Sequence, residues 1–237
     1  MITYEEVMTK LSELGNEQTK NTLLRHGASE PLDGVKIGDL KKHLVKKVKK
    51  DQDLALKLYN SGNSDAMYLA GLSVSPQQMT KEQLQNWVKQ ANWYMISEYS
   101  VAQVTAESRF SLELAREWIA STSENVACAG WSVFSNYLSI TPDELIDQDE
   151  IMKLLTKVEH TIHDERNRVR YVMNGFVISV GAYYEPLHGE AKRIAGVIGK
   201  VKVNMGNTAC KVPLAKEYIE KMEKKELIGK KRKTCIC

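Results

Sequence analysis

One helical phrase occurs twice in this chain, and it limits the folds available more than any other feature. The first copy is Val126-Ala127-Cys128-Ala129-Gly130-Trp131-Ser132-Val133-Phe134; the second is Tyr171-Val172-Met173-Asn174-Gly175-Phe176-Val177-Ile178. Both carry small-Gly-aromatic-x-aliphatic at their centre, and Gly130 and Gly175 lie 45 positions apart. A fainter echo, Ala70-Gly71-Leu72-Ser73-Val74, sits upstream. Each copy is apolar on nearly every side, so a helix built from it must be covered on more than one face. Arrays of helical hairpins provide that cover from neighbouring repeats, at periods that include roughly 40–47 residues.

Helix signals fill the rest of the chain. Thr3-Tyr4-Glu5-Glu6 and Thr80-Lys81-Glu82-Gln83 are capping boxes, in which hydroxyl and acid or amide satisfy the orphan amides of a first turn. Thr141-Pro142-Asp143-Glu144 reads as a third start, with proline at the first helical position. Helices are expected over residues 16–26, with Leu23 and Leu24 inward, and over 40–48, where Leu40, Leu44 and Val48 recur every fourth residue among lysines. Pairs follow at 54–59 and 64–74, then 83–89 and 93–104, then 108–120 and the two repeat copies, with a polar-faced helix at 142–158 between them. The last third reads as a helix over 187–203, with Ile194, Val197, Ile198 and Val201 inward, a loop over 204–210, and a final helix over 212–226. Strand-like alternation is nowhere sustained, and Val197 to Val203 is its best rival. The class is all-α: a right-handed α-solenoid of HEAT-like or armadillo-like repeats, one domain over residues 1–229, with 230–237 as a flexible basic tail.

Composition narrows the setting. Among 237 residues there are 14 glycines and 5 prolines, few for a sheet protein with many tight turns. No apolar run approaches a membrane span and the first twenty residues lack a signal-peptide core. Four cysteines, Cys128, Cys210, Cys235 and Cys237, make no disulfide framework, and the expectation is a cytoplasmic protein. The net charge of +3 hides an uneven distribution. Leu187 to Cys237 holds thirteen Lys and Arg against five Asp and Glu, and Lys36 to Lys50 holds seven lysines and one acid, Asp39. Concentrated positive charge on an otherwise acidic chain points to a polyanionic partner, with a solvated lysine face as the plain alternative.

Other clusters carry less. His160 and His163 share a helix face as metal ligands do, but no third histidine or cysteine lies near them in sequence. Gly189, Gly196 and Gly199 lack the preceding strand of a phosphate loop, and Cys235-Ile236-Cys237 is a lone pair at the terminus. No cofactor or metal is expected. The loop Val203 to Lys211 gathers amides, hydroxyls and a lysine near a helix start, an arrangement able to hold an anion or simply to cap the helix.

The order of these motifs resembles the DNA alkylation repair family of AlkD-like HEAT-repeat proteins, over most of the chain. The resemblance rests on Gly34 to Leu40 before a basic helix, on Asn92-Trp93-Tyr94, on Trp118-Ile119-Ala120-Ser121, and on the two repeat helices. It implies a solenoid whose concave basic face carries duplex DNA, and, in active members, glycosylases that release cationic N-alkylated purines. The family's key Asp, four residues after a tryptophan, falls on Ser97 when that tryptophan is Trp93. Glu98 follows one place on, about 100° round an α-helix, and reaches the same face only through a register shift. A later family tryptophan becomes Phe176, and a backbone-gripping arginine becomes Gly130.

Cleaving the glycosidic bond of a cationic purine develops positive charge on the sugar, which a carboxylate or an aromatic face stabilises. Ser97 supplies no such charge, whereas Trp93, Tyr94 and Tyr99 could still wall a base, so binding is favoured over turnover. The candidate catalytic set is thus Trp93, Ser97, Glu98 and Phe176. Candidate DNA contacts are Lys36, Lys41 and Lys42; Arg166 and Arg170; Lys192 and Arg193; Lys200 and Lys202; and Asn207, Thr208 and Lys211. The expected partner is duplex DNA, alkylated or structured, bound by a monomer. The rival reading is a non-catalytic helical scaffold for a protein or a structured nucleic acid.

Overall fold

The structure, a computed structural model, describes residues 2–236. Among them helices and connecting loops account for the whole chain and no strand forms, so the all-α expectation holds. The residues group into two compact units. The first runs to Phe110 and takes in 206–208 and 236; the second comprises Ser111–Met205 and residues 209–235.

The first unit is built on the Ser64–Ser73 helix, where Ala66, Met67, Leu69 and Ala70 are all buried. Gln52–Tyr59 packs on it from one side and the Met95–Val101 segment from another. That second approach depends on Gly71: a Cβ there would stand 2.6 Å from the Ser100 Cβ and 3.0 Å from its Cα. Both capping boxes form, starting Tyr4–Leu14 and Lys81–Gln90. Asn16 caps Glu17–Arg25, but Leu23 and Leu24 are only half-buried, since this short helix lies on the surface. Leu40, Leu44 and Val48 point inward as their spacing requires, with Lys41–Val45 wound as π-helix between short α segments. A second π-helical stretch, Met95–Val101, leads into Ala102–Ala106.

Two helices of 17 residues, Glu124–Ile140 and Asn167–Tyr183, dominate the second unit and contain the repeated phrases. They pack on each other, with the Trp131 and Phe176 rings 5.2 Å apart and Phe134 at 6.3 Å from Phe176. Burying a side chain such as Phe176 contributes about 1.5–3 kcal/mol. Ser111–Ile119, Gln148–Thr161, His188–Ile198 and Ala215–Lys224 complete the unit. The two glycines have different roles. At Gly130 a Cβ would meet the Ile119 amide nitrogen at 2.6 Å, whereas at Gly175 nothing lies within 4 Å.

Three expectations need correction here. The Thr141-Pro142 start yields only a 3-10 turn at Asp143–Leu145, and Asp147 caps the helix that follows, Gln148–Thr161. The helix expected to reach residue 203 stops at Ile198, because Gly199 takes a left-handed φ of 53°. Val197, expected inward, is 59% exposed, and Val201 is buried from a loop instead of from a helix. Residues 230–236 are not a free tail. Lys231 Nζ donates to the Leu138 and Tyr183 carbonyls at 2.9 and 2.6 Å and pairs with Asp143 at 2.7 Å. Arg232 N–H donates to Ser139 O at 2.7 Å, and Cys235 is fully buried. These carbonyls belong to the last turns of the two long helices, where partial negative charge attracts a cation. Cys237 lies outside the described residues.

Candidate nucleic-acid interface

The aromatic and acidic residues from which a base-excision site would be made are inside the first unit. Trp93 is 8% exposed, Glu98 5% and Ser97 0%. Trp93 packs against Tyr94 at 5.4 Å between ring centroids, and its indole Nε1 is sealed from solvent without an acceptor. The π-helical winding of Met95–Val101 does supply a register change at Glu98, yet that carboxylate still lies in the interior. Beside Trp93 a cavity of about 30 Å³ is lined by Tyr68, Asp65 and Met95. That space admits a water or two, not a purine. Asp65 accepts backbone hydrogen bonds from Asp33, Gly34 and Val35 at 2.6, 2.9 and 3.0 Å, so it anchors the loop ahead of the lysine-rich helix. Burial raises its carboxyl above the ordinary value, and the three N–H groups only partly offset this. In the second unit Phe176 is fully buried among aromatic rings, and the close backbone contact at Gly130 leaves no room for a longer side chain. The four candidate catalytic residues are therefore packed in cores and do not face solvent.

A different site is open in the second unit. After Gly199 the chain leaves helical structure until Ala215, and two asparagines tie this excursion to one helix. Asn167 Nδ2 donates to the Asn204 carbonyl at 2.9 Å, and Asn204 N–H donates back to Asn167 Oδ1 at 2.8 Å. Two turns on, the fully buried Asn174 donates to the Pro213 carbonyl at 3.0 Å. Residues seven apart share a helix face, and Arg170 stands between them at the third position. Under the excursion lies a cavity of about 790 Å³. Arg170, Lys200, Lys202 and Lys211 line it, and none of its lining residues is a carboxylate. The three lysines are exposed, and Arg170 Nε is sealed from solvent without a hydrogen-bond partner among the described residues. Aliphatic groups, Val201, Val203, Val212 and Leu214, form the remaining wall with Met205. Asn167 and Asn174 were missed by sequence reasoning. The available signal was a polar side chain, Asn174, inside an otherwise apolar repeat phrase.

The other candidate contacts separate by their partners. Lys192 pairs with Glu223 at 2.7 Å, and Arg193 forks onto both Glu159 and Glu190 at 2.8 Å. These partners raise both basic pKa values and depress those of the three glutamates, so the charges are matched within the protein. Arg166 donates to the Ser121 and Thr122 carbonyls at 3.0 and 2.7 Å and lies 3.5 Å from Glu165, holding a loop. Lys36, Lys41 and Lys42 are exposed, as are Lys46, Lys47, Lys49 and Lys50, and none of the seven forms an ion pair among the described residues. Asn207 is exposed and Thr208 half-buried, both within the first unit. His163 Nε2 donates to Ile198 O at 3.0 Å, a structural bond. No cluster of three or more possible metal ligands occurs among the described residues, and no helix is long and apolar enough to cross a membrane.

Comparison with known proteins places this geometry in a family. A solved structure described as belonging to "a new family of proteins related to the HEAT-like repeat DNA glycosylases with affinity for branched DNA structures" superposes with a TM-score of 0.92. It is 37% identical and the match covers 100% of both chains. Uncharacterized proteins of Listeria monocytogenes and Listeria innocua are each 38% identical over 226 residues, spanning 93% of this chain and 97% of theirs. The profile of the family described as DNA alkylation repair enzyme matches residues 7–191, and on that match, together with full-length relatives, the chain belongs to the DNA alkylation repair enzyme family.

Proposed function

We propose that this protein binds branched or otherwise structured DNA through its backbone phosphates and does not excise bases. The observation that carries this reading is the second-unit cavity, where four cationic side chains meet no lining carboxylate. The seven lysines of residues 36–50, none of them ion-paired among the described residues, supply a further anion-attracting surface. A structural relative with affinity for branched DNA, alike in fold over its whole length, supports the same partner. Within this proposal residues 1–229 act as one HEAT-like repeat domain, a monomeric right-handed solenoid with its basic side turned inward to DNA. The protein works in the cytoplasm, where free thiols such as Cys128 and Cys210 persist. Lys36, Lys41, Lys42, Arg170, Lys200, Lys202 and Lys211 contact phosphate, and Asn207 and Thr208 add polar contacts. Lys192, Arg193 and Arg166 serve the fold, since their charges already have partners.

Loss of base excision follows from burial. A catalytic carboxylate must lie within reach of the sugar, and Glu98 is enclosed while position 97 carries a hydroxyl. The test is a gel shift on a four-way junction against linear duplex of the same sequence, over a salt series, beside a base-release assay on methylated DNA. Tighter junction binding, with log affinity falling about 0.9 per phosphate contacted for each log unit of salt, is expected. Equal affinity for both DNAs, or release of alkylated purine, overturns the reading.

A further inference from the structure

The second-unit cavity has a chemistry that a duplex backbone alone does not require. Phosphates lie on the outside of a paired helix, where cations on an open face reach them with no need for a pocket. Here a partly open hollow of about 790 Å³ is recessed into the surface, within the roughly 300–1,000 Å³ of small-molecule pockets. Its lining has two characters. Arg170, Lys200, Lys202 and Lys211 are cationic, while Val201, Val203, Met205 and Val212 offer an apolar wall. A cationic group recognises a phosphate, and an apolar wall gains free energy when apolar surface, such as the face of an unpaired base, covers it. A nucleotide with its base unpaired presents both, joined by one sugar.

The rigidity of the walls supports such a ligand. The Asn167–Asn204 pair and the Asn174–Pro213 bond fix two points of the excursion to one helix. A site already held open binds without first ordering its loop. Asn167 spends one donor and one lone pair of its amide in that tie, and the valine side chains of the wall carry no polar atom to tell one base edge from another.

We infer that this cavity receives a single unpaired nucleotide, its phosphate against Arg170 and the lysines and its base against the aliphatic wall, with little preference among the four bases. This rests on the reading of the chain as a DNA-binding protein. The nucleotide comes from a strand at a branch point or from the free pool, and the experiment separates these sources.

The test uses the full chain with a fully paired four-way junction, the same junction with one unpaired thymidine at its centre, and 5′-dTMP. Val203→Trp replaces part of the aliphatic wall with a bulkier ring without altering charge, and Arg170→Gln removes the guanidinium while keeping most of the volume. Melting temperatures confirm that each variant folds. For a strand-borne nucleotide, wild type binds the junction with the unpaired thymidine roughly fivefold or more tightly than the paired one. Both variants abolish that preference. A free nucleotide is the ligand instead if 5′-dTMP shifts the NMR resonances of Val201 and Val203 in wild type only and the junctions bind alike. The inference is overturned if the two junctions bind equally and 5′-dTMP leaves those resonances unmoved. Junction binding no tighter than duplex, with 5′-dTMP still seated in the cavity, would sink the branched-DNA reading alone.

Discussion

Lys231 Nζ lies 2.6 Å from the carbonyl oxygen of Tyr183, the last residue of the second repeat helix. The same ammonium reaches the Leu138 carbonyl in the final turn of the first repeat helix, so one cation closes both C-termini. Removing it leaves two carbonyls without that donor and Asp143 without its counter-ion. Lys231→Met is expected to destabilise the protein by roughly 2–4 kcal/mol, read by urea denaturation. A change under about 0.5 kcal/mol, typical of a surface lysine, would remove the tail from the fold.

The two central glycines predict opposite signs. Gly130→Ala forces a methyl against the backbone of Ile119 and should cost about 1–3 kcal/mol. Gly175→Ala meets open space within a helix and should stabilise by about 0.5–1 kcal/mol. Thermal melts of the two single variants decide this, and equal shifts would show that the repeat phrase uses its glycines alike.

Asn174 and Asn167 should act on the loop more than on their own helix. Asn174→Ala removes the donor to the Pro213 carbonyl at a cost of about 1 kcal/mol or more. Amide exchange at residues 203–212 should accelerate in Asn167→Ala, which loses both bonds to Asn204. Unchanged exchange there would mean that the apolar wall alone holds the excursion.

Trp93 and Phe176 are expected to behave as core residues. Truncation of either to alanine should cost about 3–5 kcal/mol. The milder Trp93→Phe and Phe176→Leu should keep junction affinity within about twofold, since substitutions of similar shape and size disturb a core least. A selective loss of DNA binding in a variant that melts normally would put these aromatics at the interface after all.

Acid should loosen the packing of the Ala215–Lys224 helix. Lys192 first, and His188 Nε2 at 2.7 Å second, hold the Glu223 carboxyl below its ordinary value. A depressed carboxylate contributes stability that is complete above its unfolded pKa, about 4.3, and is lost as pH falls through the lower folded value. Glu223→Gln should therefore flatten the dependence of melting temperature on pH below about 4.5. A wild-type and variant pair with identical slopes across that range would mean that the ion pair is screened away.

Much of the fold was legible because its signals are local. The Thr3 and Thr80 boxes and the four-residue spacing of Leu40, Leu44 and Val48 act within one or two turns. The repeat phrase required buried helices at 126 and 171, and hydrophobicity all round leaves no other placement. Helix ends were harder. Gly199 stops a helix whose apolar pattern continues through Val201 and Val203, because burial can be reached equally from a loop. The candidate site was partly legible: Arg170, Lys200, Lys202 and Lys211 stood among the expected contacts, and the cavity gathers them.

By itself the sequence determined the helical class, the two central helices, and a surplus of cations toward the C-terminus. Those follow from periodicity, capping chemistry and charge, which neighbouring residues decide between them. Tertiary structure alone decided which cations remain free. Lys192 and Arg193 find glutamates 31 and 34 residues away, while Arg170 finds none among the described residues. It also turned an apparently loose basic terminus into the clasp of two helix ends. Partners that distant in sequence meet only after the chain has packed, and a charge is neutralised by whatever lies beside it in space.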